Sequence, residues 1–157
     1  MNDLEESAMT PADCRRRAMD FLARREHSRW ELRHKLTAAG ASGDVADETL
    51  DALEDEDLLS DERFVESFIV SRVRKGQGPV RIYQELDRRG VAESLIEDGI
   101  DEADIDWYEL AAEVRARKFG NKVPPDFPSR AKQMRFLEYR GFDSDQIQAA
   151  MKGSATA

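Results

Sequence analysis

Several residue types are scarce in this chain of 157 residues, and each scarcity excludes something. Cysteine occurs once, at Cys14, so neither an intrachain disulfide nor a cysteine-built zinc cage can form. Cys14 reads as a small residue early in a helix. No stretch approaches the ~20 apolar residues that span a bilayer. The opening Met1-Asn2-Asp3-Leu4-Glu5-Glu6 is acidic and lacks the basic-then-apolar pattern of a signal peptide. Together these features predict a cytoplasmic protein in a reducing compartment, with no membrane partner. The two histidines, His27 and His34, are seven residues apart, wider than an i, i+4 metal pair, and no third ligand is evident. No metal site is expected.

Catalytic patterns are missing as well. Gly76-Gln77-Gly78-Pro79 lacks the Lys-Ser/Thr that follows in a phosphate loop, and no strand leads into it. A turn with proline at the first helical position accounts for it better. There is no nucleophile–base pair and no cofactor fingerprint. The expected activity is binding rather than catalysis, with no catalytic residue and no cofactor.

What is present is a repeat. Gly40, Gly90 and Gly141 end similar segments at separations of 50 and 51 residues. Twelve positions before each stands Ser28, Gly78 or Ser129, a small residue suited to an N-cap. Ten before stands Trp30, Val80 or Ala131; four before is always leucine; ten after stands Leu50, Ile100 or Met151. This spacing describes a helix of about three turns stopped by glycine, where left-handed geometry costs glycine least. A helix precedes it each time, over 13–25, 61–75 and 107–119, and another follows, over 43–55, 92–102 and 144–151. Residues 120–128 form a proline-rich insertion in the third unit, where Gln133 also replaces the apolar Leu32 and Ile82.

The expected fold is therefore all-α: three tandem three-helix repeats forming an elongated, curved short solenoid. Repeats are expected at 12–59, 60–105 and 106–152, with tails at 1–11 and 153–157. A helix of ~12 residues is marginal alone in water. One buried leucine contributes only ~1.5–3 kcal/mol. Neighbouring units are thus expected to share surface.

Charge is the last scarcity, because it is missing by segment. The formal net charge is −9, the opposite of what a phosphate-binding domain usually carries. Yet residues 41–62 hold ten acids and no base, and 91–109 hold eight acids and no base. Residues 63–90 hold seven bases against three acids, and 110–140 eight against three. Basic clusters recur near the ends of the first helices: Arg24 and Arg25; Arg72, Arg74 and Lys75; Arg115, Arg117 and Lys118. Arg81, Arg88, Arg89, Lys132 and Arg135 join them. Complementing the helix dipoles explains one or two bases per helix. A solvated face and a surface for phosphate or an acidic partner both fit the remainder. The acidic run Glu54-Asp55-Glu56-Asp57 reads as solubilising and screening surface.

Three stretches carry a family resemblance. Leu22-Ala23-Arg24-Arg25-Glu26-His27-Ser28-Arg29-Trp30-Glu31-Leu32, with Lys35-Leu36 and Gly40, resembles the first repeat of the RecX family of bacterial recombinase regulators. Asp61-Glu62-Arg63-Phe64, then Ser71-Arg72, Gly76-Gln77-Gly78-Pro79-Val80-Arg81-Ile82, Glu85-Leu86 and Arg89-Gly90, resembles the second. Arg135-Phe136-Leu137-Glu138-Tyr139-Arg140-Gly141-Phe142 resembles the third. The resemblance implies an elongated helical monomer that binds in the groove of the RecA–single-stranded DNA filament. There it would suppress ATP hydrolysis, strand exchange and stimulation of repressor self-cleavage. Direct binding to single- or double-stranded DNA is expected to be weak, given the net charge. The alternatives are a helix-turn-helix regulator reading duplex DNA and a helical-repeat scaffold for another partner.

Overall fold

A computed structural model describes residues 8–152. Of the expected tails, 1–7 and 153–157 lie outside the described residues. Pro11 already opens a helix, because the Thr10 hydroxyl caps it by accepting from the Asp13 amide.

Nine helices follow one another among the described residues. The first unit contains α1 (Pro11–Arg24), α2 (Arg29–Ala38) and α3 (Gly43–Asp55). The second contains α4 (Asp61–Arg74), α5 (Pro79–Arg88) and α6 (Glu93–Glu102). The third contains α7 (Trp107–Phe119), α8 (Phe127–Tyr139) and α9 (Ser144–Ala150). None is long and apolar enough to cross a membrane.

One expected start moves. Ser129 does not cap α8; Asp126 does, and its carboxylate accepts the Ser129 amide at 3.0 Å. The helix thus begins earlier, with Phe127 and Pro128 as its first residues. Proline there loses no hydrogen bond, and an anionic cap favours the positive end of the helix dipole. The insertion is accordingly shorter, ending at Asp126.

The glycine stops are Schellman turns, three times over. In each second helix the glycine amide bonds the carbonyl three residues back: Gly40 to Thr37 (3.1 Å), Gly90 to Asp87 (3.0 Å), Gly141 to Glu138 (3.0 Å). The next amide, from Ala41, Val91 or Phe142, reaches back to the repeated leucine, Leu36, Leu86 or Leu137. Those six residues are buried, the leucines completely. Helix stop and core are therefore built from the same residues. The glycines take φ of 116°, 72° and 96°.

Each unit has its own apolar core. Cys14, Ala18, Leu32, Leu36, Leu50 and Leu53 centre the first. Phe64, Val65, Ile69, Ile82, Leu86 and Ile96 centre the second, and Ala111, Val114, Leu137, Phe142 and Ile147 the third. The repeated position of Trp30 and Val80 is not core: these side chains are 45% and 42% exposed. They belong instead to the joints between units.

Both joints follow one rule. The start of the second helix in one unit meets the glycine turn that ends the second helix of the next. Ser28 Oγ donates to the Arg89 carbonyl at 2.8 Å. Gly78, which has no capping side chain, donates its amide to the Arg140 carbonyl at 2.8 Å. The Val80 amide, otherwise an orphan of the first helical turn, reaches the Gly141 carbonyl at 2.9 Å. The glycines are pressed from the facing unit: a Cβ on Gly90 would lie 2.5 Å from Trp30, and one on Gly141 2.8 Å from the Arg81 backbone nitrogen. No hydrogen bond or ion pair among the described residues joins the first unit to the third. The second helices thus run head to tail, and neighbouring units share surface through these hydrogen bonds and through apolar contacts, Trp30 against Gly90 and Trp107 against the second core.

A buried histidine immediately precedes the capping Ser28 at the first joint. His27 is 1% exposed; its Nδ1–H donates to the Arg25 carbonyl at 3.1 Å, and Nε2 accepts from the Lys35 ammonium at 2.8 Å. Burial lowers the His27 pKa, opposed by the Arg25 carbonyl and Glu31 and reinforced by the charges of Arg25 and Lys35.

Two predictions follow from these joints. Gly141→Ala should cost about 1–3 kcal/mol, from positive φ plus collision with Arg81. Gly40→Ala, with positive φ but open space around it, should cost about 1 kcal/mol. Urea unfolding of the two variants measures the difference, and equal losses would refute the role of the joint. The unfolded chain also accepts a proton at His27 near pH 6.5 that the folded chain resists. Its contribution is therefore complete above about pH 6.5 and lost as pH falls below it. The melting temperature should fall between pH 7 and 5.5, and less steeply in His27→Gln.

Candidate functional site

The acidic blocks decide which bases remain available. Glu56 takes a two-point bond from Arg15, at 2.7 and 3.0 Å. Arg29 pairs with Asp51 at 2.9 Å and with Glu54, and Arg33 with Asp47 at 2.8 Å. Arg63 bonds Asp57 at 2.9 Å and Glu26 at 3.2 Å. The run Glu54–Asp57, expected to be solvated surface, therefore also clamps three arginines. Such exposed pairs each contribute about 0–1 kcal/mol. Residues 91–109 form no ion pair among the described residues, so the second block stays an open acidic surface.

Two clefts mark the two joints. The first, of about 380 Å³, is lined by Arg25, Arg72, Lys75 and Arg89 together with Glu26, Glu31 and Phe68. Along α4, Phe64, Ser67, Phe68, Ser71, Arg72 and Lys75 recur every three or four residues and so face this cleft together. The Arg72 and Arg89 guanidiniums lie over the Phe68 ring, 4.2 and 4.9 Å from its centre. Glu31 takes two 2.9 Å bonds from Arg25 and lies 4.0 Å from Arg89, while Glu85 holds Arg72 at 3.0 Å. Burial pushes the Glu31 pKa up, but the bonds and charge of Arg25 outweigh it and keep this carboxylate ionised.

The second cleft, of about 270 Å³, is lined by Lys75, Gly76, Val114, Arg117, Lys118, Phe136 and Arg140. Lys118 and Arg140 lie 5.8 and 5.0 Å from the centre of the Phe136 ring, and Arg140 donates to the Lys75 carbonyl at 2.7 Å. A cation closing the end of α4 also suits the dipole of that helix. Lys75 lines both clefts.

The residues singled out in the sequence thus divide. Arg25, Arg72, Lys75 and Arg89 meet in the first cleft; Lys75, Arg117 and Lys118 meet in the second. Arg81 forms an ion pair with Glu85 at 3.5 Å and lies over Tyr139, at the second joint. Arg74 turns to the other side of α4, beside Val70 and Val73. Arg24, Arg88, Lys132 and Arg135 are exposed outside both clefts.

Arg115 is a correction: it is 3% exposed and no part of a contact face. Its guanidinium reaches the carbonyls of Gly120 and Asn121 and the side chain of Gln133, each at 3.3 Å. The insertion brings carbonyls over the third unit that need a donor, and Gln133 stands where the other units have Leu32 and Ile82. Arg140 was missed. Its signal was its place immediately before Gly141, matching Arg89 before Gly90.

Comparison with known proteins decides what kind of molecule carries these clefts. Models of the first, second and third three-helix domains of RecX match residues 14–53, 60–100 and 104–151. The chain belongs to the RecX family. It is 48% identical to the Regulatory protein RecX of Pseudomonas savastanoi pv. phaseolicola, over 92% of this chain and 93% of that one. To the Regulatory protein RecX of Pseudomonas putida strain GB-1 it is 49% identical, over 92% of each. To that of Halorhodospira halophila it is 44% identical, over 94% of this chain and 91% of the relative. The crystal structure of RecX from Lactobacillus salivarius shares the fold, with a TM-score of 0.73 at 20% identity, covering 90% of this chain and 94% of that one. A second crystal structure of regulatory protein RecX gives 0.78 at 22% identity, over 90% and 73%. This is a regulatory protein of the RecX family, with the three-helix repeats that family has.

The division of the bases is testable through stability. Arg115→Met should destabilise this RecX family member by about 1–3 kcal/mol, because the buried Gln133 side chain and the Gly120 and Asn121 carbonyls lose their donor. Arg117→Glu, fully outside the core, should stay within about 0.5 kcal/mol. The midpoint of urea unfolding separates them.

Proposed function

We propose that this chain is a negative modulator of the RecA recombinase. It lies along the groove of RecA–single-stranded DNA filaments and lowers ATP hydrolysis, strand exchange and the filament's stimulation of repressor self-cleavage. Membership of the RecX family supports the regulatory role. The observation that carries the reading is the cluster of bases, Lys75, Arg117, Lys118 and Arg140, gathered at the second joint of a chain of repeated units. A filament is a repeating track, and a chain of repeated units can engage it at several points. Once one point is held, the others bind at high effective concentration.

The mode of action needs no catalysis. If the chain prefers a filament geometry poor in ATP turnover, it shifts the filament toward that geometry by its differential affinity alone. The duplex-reading alternative fares worse. A recognition helix presents its N-terminal residues to base edges, and here the starts of α2 and α5 are committed to the next unit through Ser28, Gly78 and Val80.

Purified chain added at stoichiometric amounts to RecA on single-stranded DNA should lower the DNA-dependent ATPase rate several-fold. An unchanged rate would refute the reading.

A further inference from the structure

The two clefts look alike in lining and differ in electrostatics. In the first, all three arginines already have acidic partners: Arg25 and Arg89 with Glu31, Arg72 with Glu85. Glu26 lines the same cleft. In the second, no carboxylate is among the lining residues. None lies within ion-pair distance of Lys75, Arg117, Lys118 or Arg140 among the described residues. Four cations, two from α7 and two from the C-caps of α4 and α8, thus converge with no carboxylate paired to them.

That arrangement carries a cost unless something answers it. Like charges gathered at one place raise the energy of the folded state, and a fold that needed only solubility could spread them. Here they are held together. The Phe136 ring lies beneath Lys118 and Arg140, and the Lys75 carbonyl fixes the Arg140 guanidinium. The lining between them is Gly76, Val114 and Phe136, with no exposed strand edge and no deep apolar pocket of the kind that grips a peptide. What it offers is a row of cationic heads over a shallow floor.

From this we infer that the second cleft, between the second and third units, is the phosphodiester-binding site of the chain, taking a nucleic-acid backbone through Lys75, Arg117, Lys118 and Arg140, while the first cleft is a self-neutralised joint. This deepens the proposed role and rests on it for the choice of single-stranded DNA as the natural ligand. The acids of residues 91–109, which form no ion pair among the described residues, repel the same backbone from the second unit and the start of the third. One short contact is therefore favoured over general coating, which reconciles a phosphate site with a net charge of −9.

The test uses the full chain without RecA. Fluorescence anisotropy of a labelled oligothymidine, read across a salt series, gives affinity and its salt slope. Each phosphate contact to a single strand contributes about 0.7 to that slope. The double variant Arg117→Glu, Lys118→Glu should weaken binding at least about tenfold and reduce the slope by about 1.4. Arg117→Gln with Lys118→Gln should reduce the slope similarly, which separates lost contacts from repulsion. Arg25→Gln should leave both readings within twofold of the parent. Melting temperatures of all variants check that they fold.

Four outcomes overturn the inference: no binding of oligothymidine by the parent at low salt; an unchanged slope in the second-cleft variants; loss of binding in Arg25→Gln instead; or competition by polyglutamate as effective as unlabelled oligothymidine, which assigns the cleft to an acidic protein surface. A duplex of equal length, bound as tightly as the single strand, keeps the phosphate site but removes the preference assumed from the filament. If RecA ATPase falls in the parent while oligothymidine does not bind, the cleft assignment fails and the filament reading stands. If oligothymidine binds through the second cleft and ATPase is unchanged, the reverse holds.

Discussion

Everything in this molecule hangs on how the beginning of one helix finds hydrogen-bond acceptors. The first amides of any helix lack partners within it. In α5 those amides, from Gly78 and Val80, are satisfied by the carbonyls of Arg140 and Gly141 on the next unit. In α2 the capping serine makes the equivalent bond to Arg89. A unit without its neighbour would expose these groups to water and leave each facing glycine turn uncovered. Local helix chemistry and repeat stacking are therefore one constraint. It explains why a protein with three small separate cores holds together as a series.

The same constraint positions the charged sites. Joining the second helices end to end brings the residue before each glycine, Arg89 or Arg140, against the last turn of the preceding unit's first helix. In the second joint that turn contains Lys75, and in the first it contains Arg25. Cations that belong to different helices and different units meet only because the joint is built this way. Whether they then stay available depends on nearby acids. Glu31 and Glu85 consume those of the first joint, and nothing comparable reaches the second.

The fold was legible because its rules are short-range. Leucine four before glycine, glycine as the stop, and a small residue at the helix start are read within a dozen residues, and the structure has Leu36, Leu86 and Leu137 all fully buried. The start of α8 was misplaced because Ser129 matched the repeat, while Asp126 three residues earlier made the stronger cap. Trp30 and Val80 counted as apolar repeat positions, but their partners lie in another unit, about sixty residues away, so periodicity could not show their role. The contact surface was harder still. Arg115, Arg117 and Lys118 look equivalent as text, yet the helix turns Arg115 inward to Gln133 and the insertion, and leaves the other two outside.

The sequence by itself determined the number of units, the helical class, the helix stops and the family, because each follows from residues close together in the chain. It also determined that acid and base alternate in blocks. Only the tertiary structure decided which charges cancel. Ion pairing and burial depend on distances between residues many positions apart: Arg29 with Glu54, Glu31 with Arg89, Arg140 with the Lys75 carbonyl. Composition counts these groups equally, and three-dimensional proximity sorts them into those spent on the fold and those left for a partner.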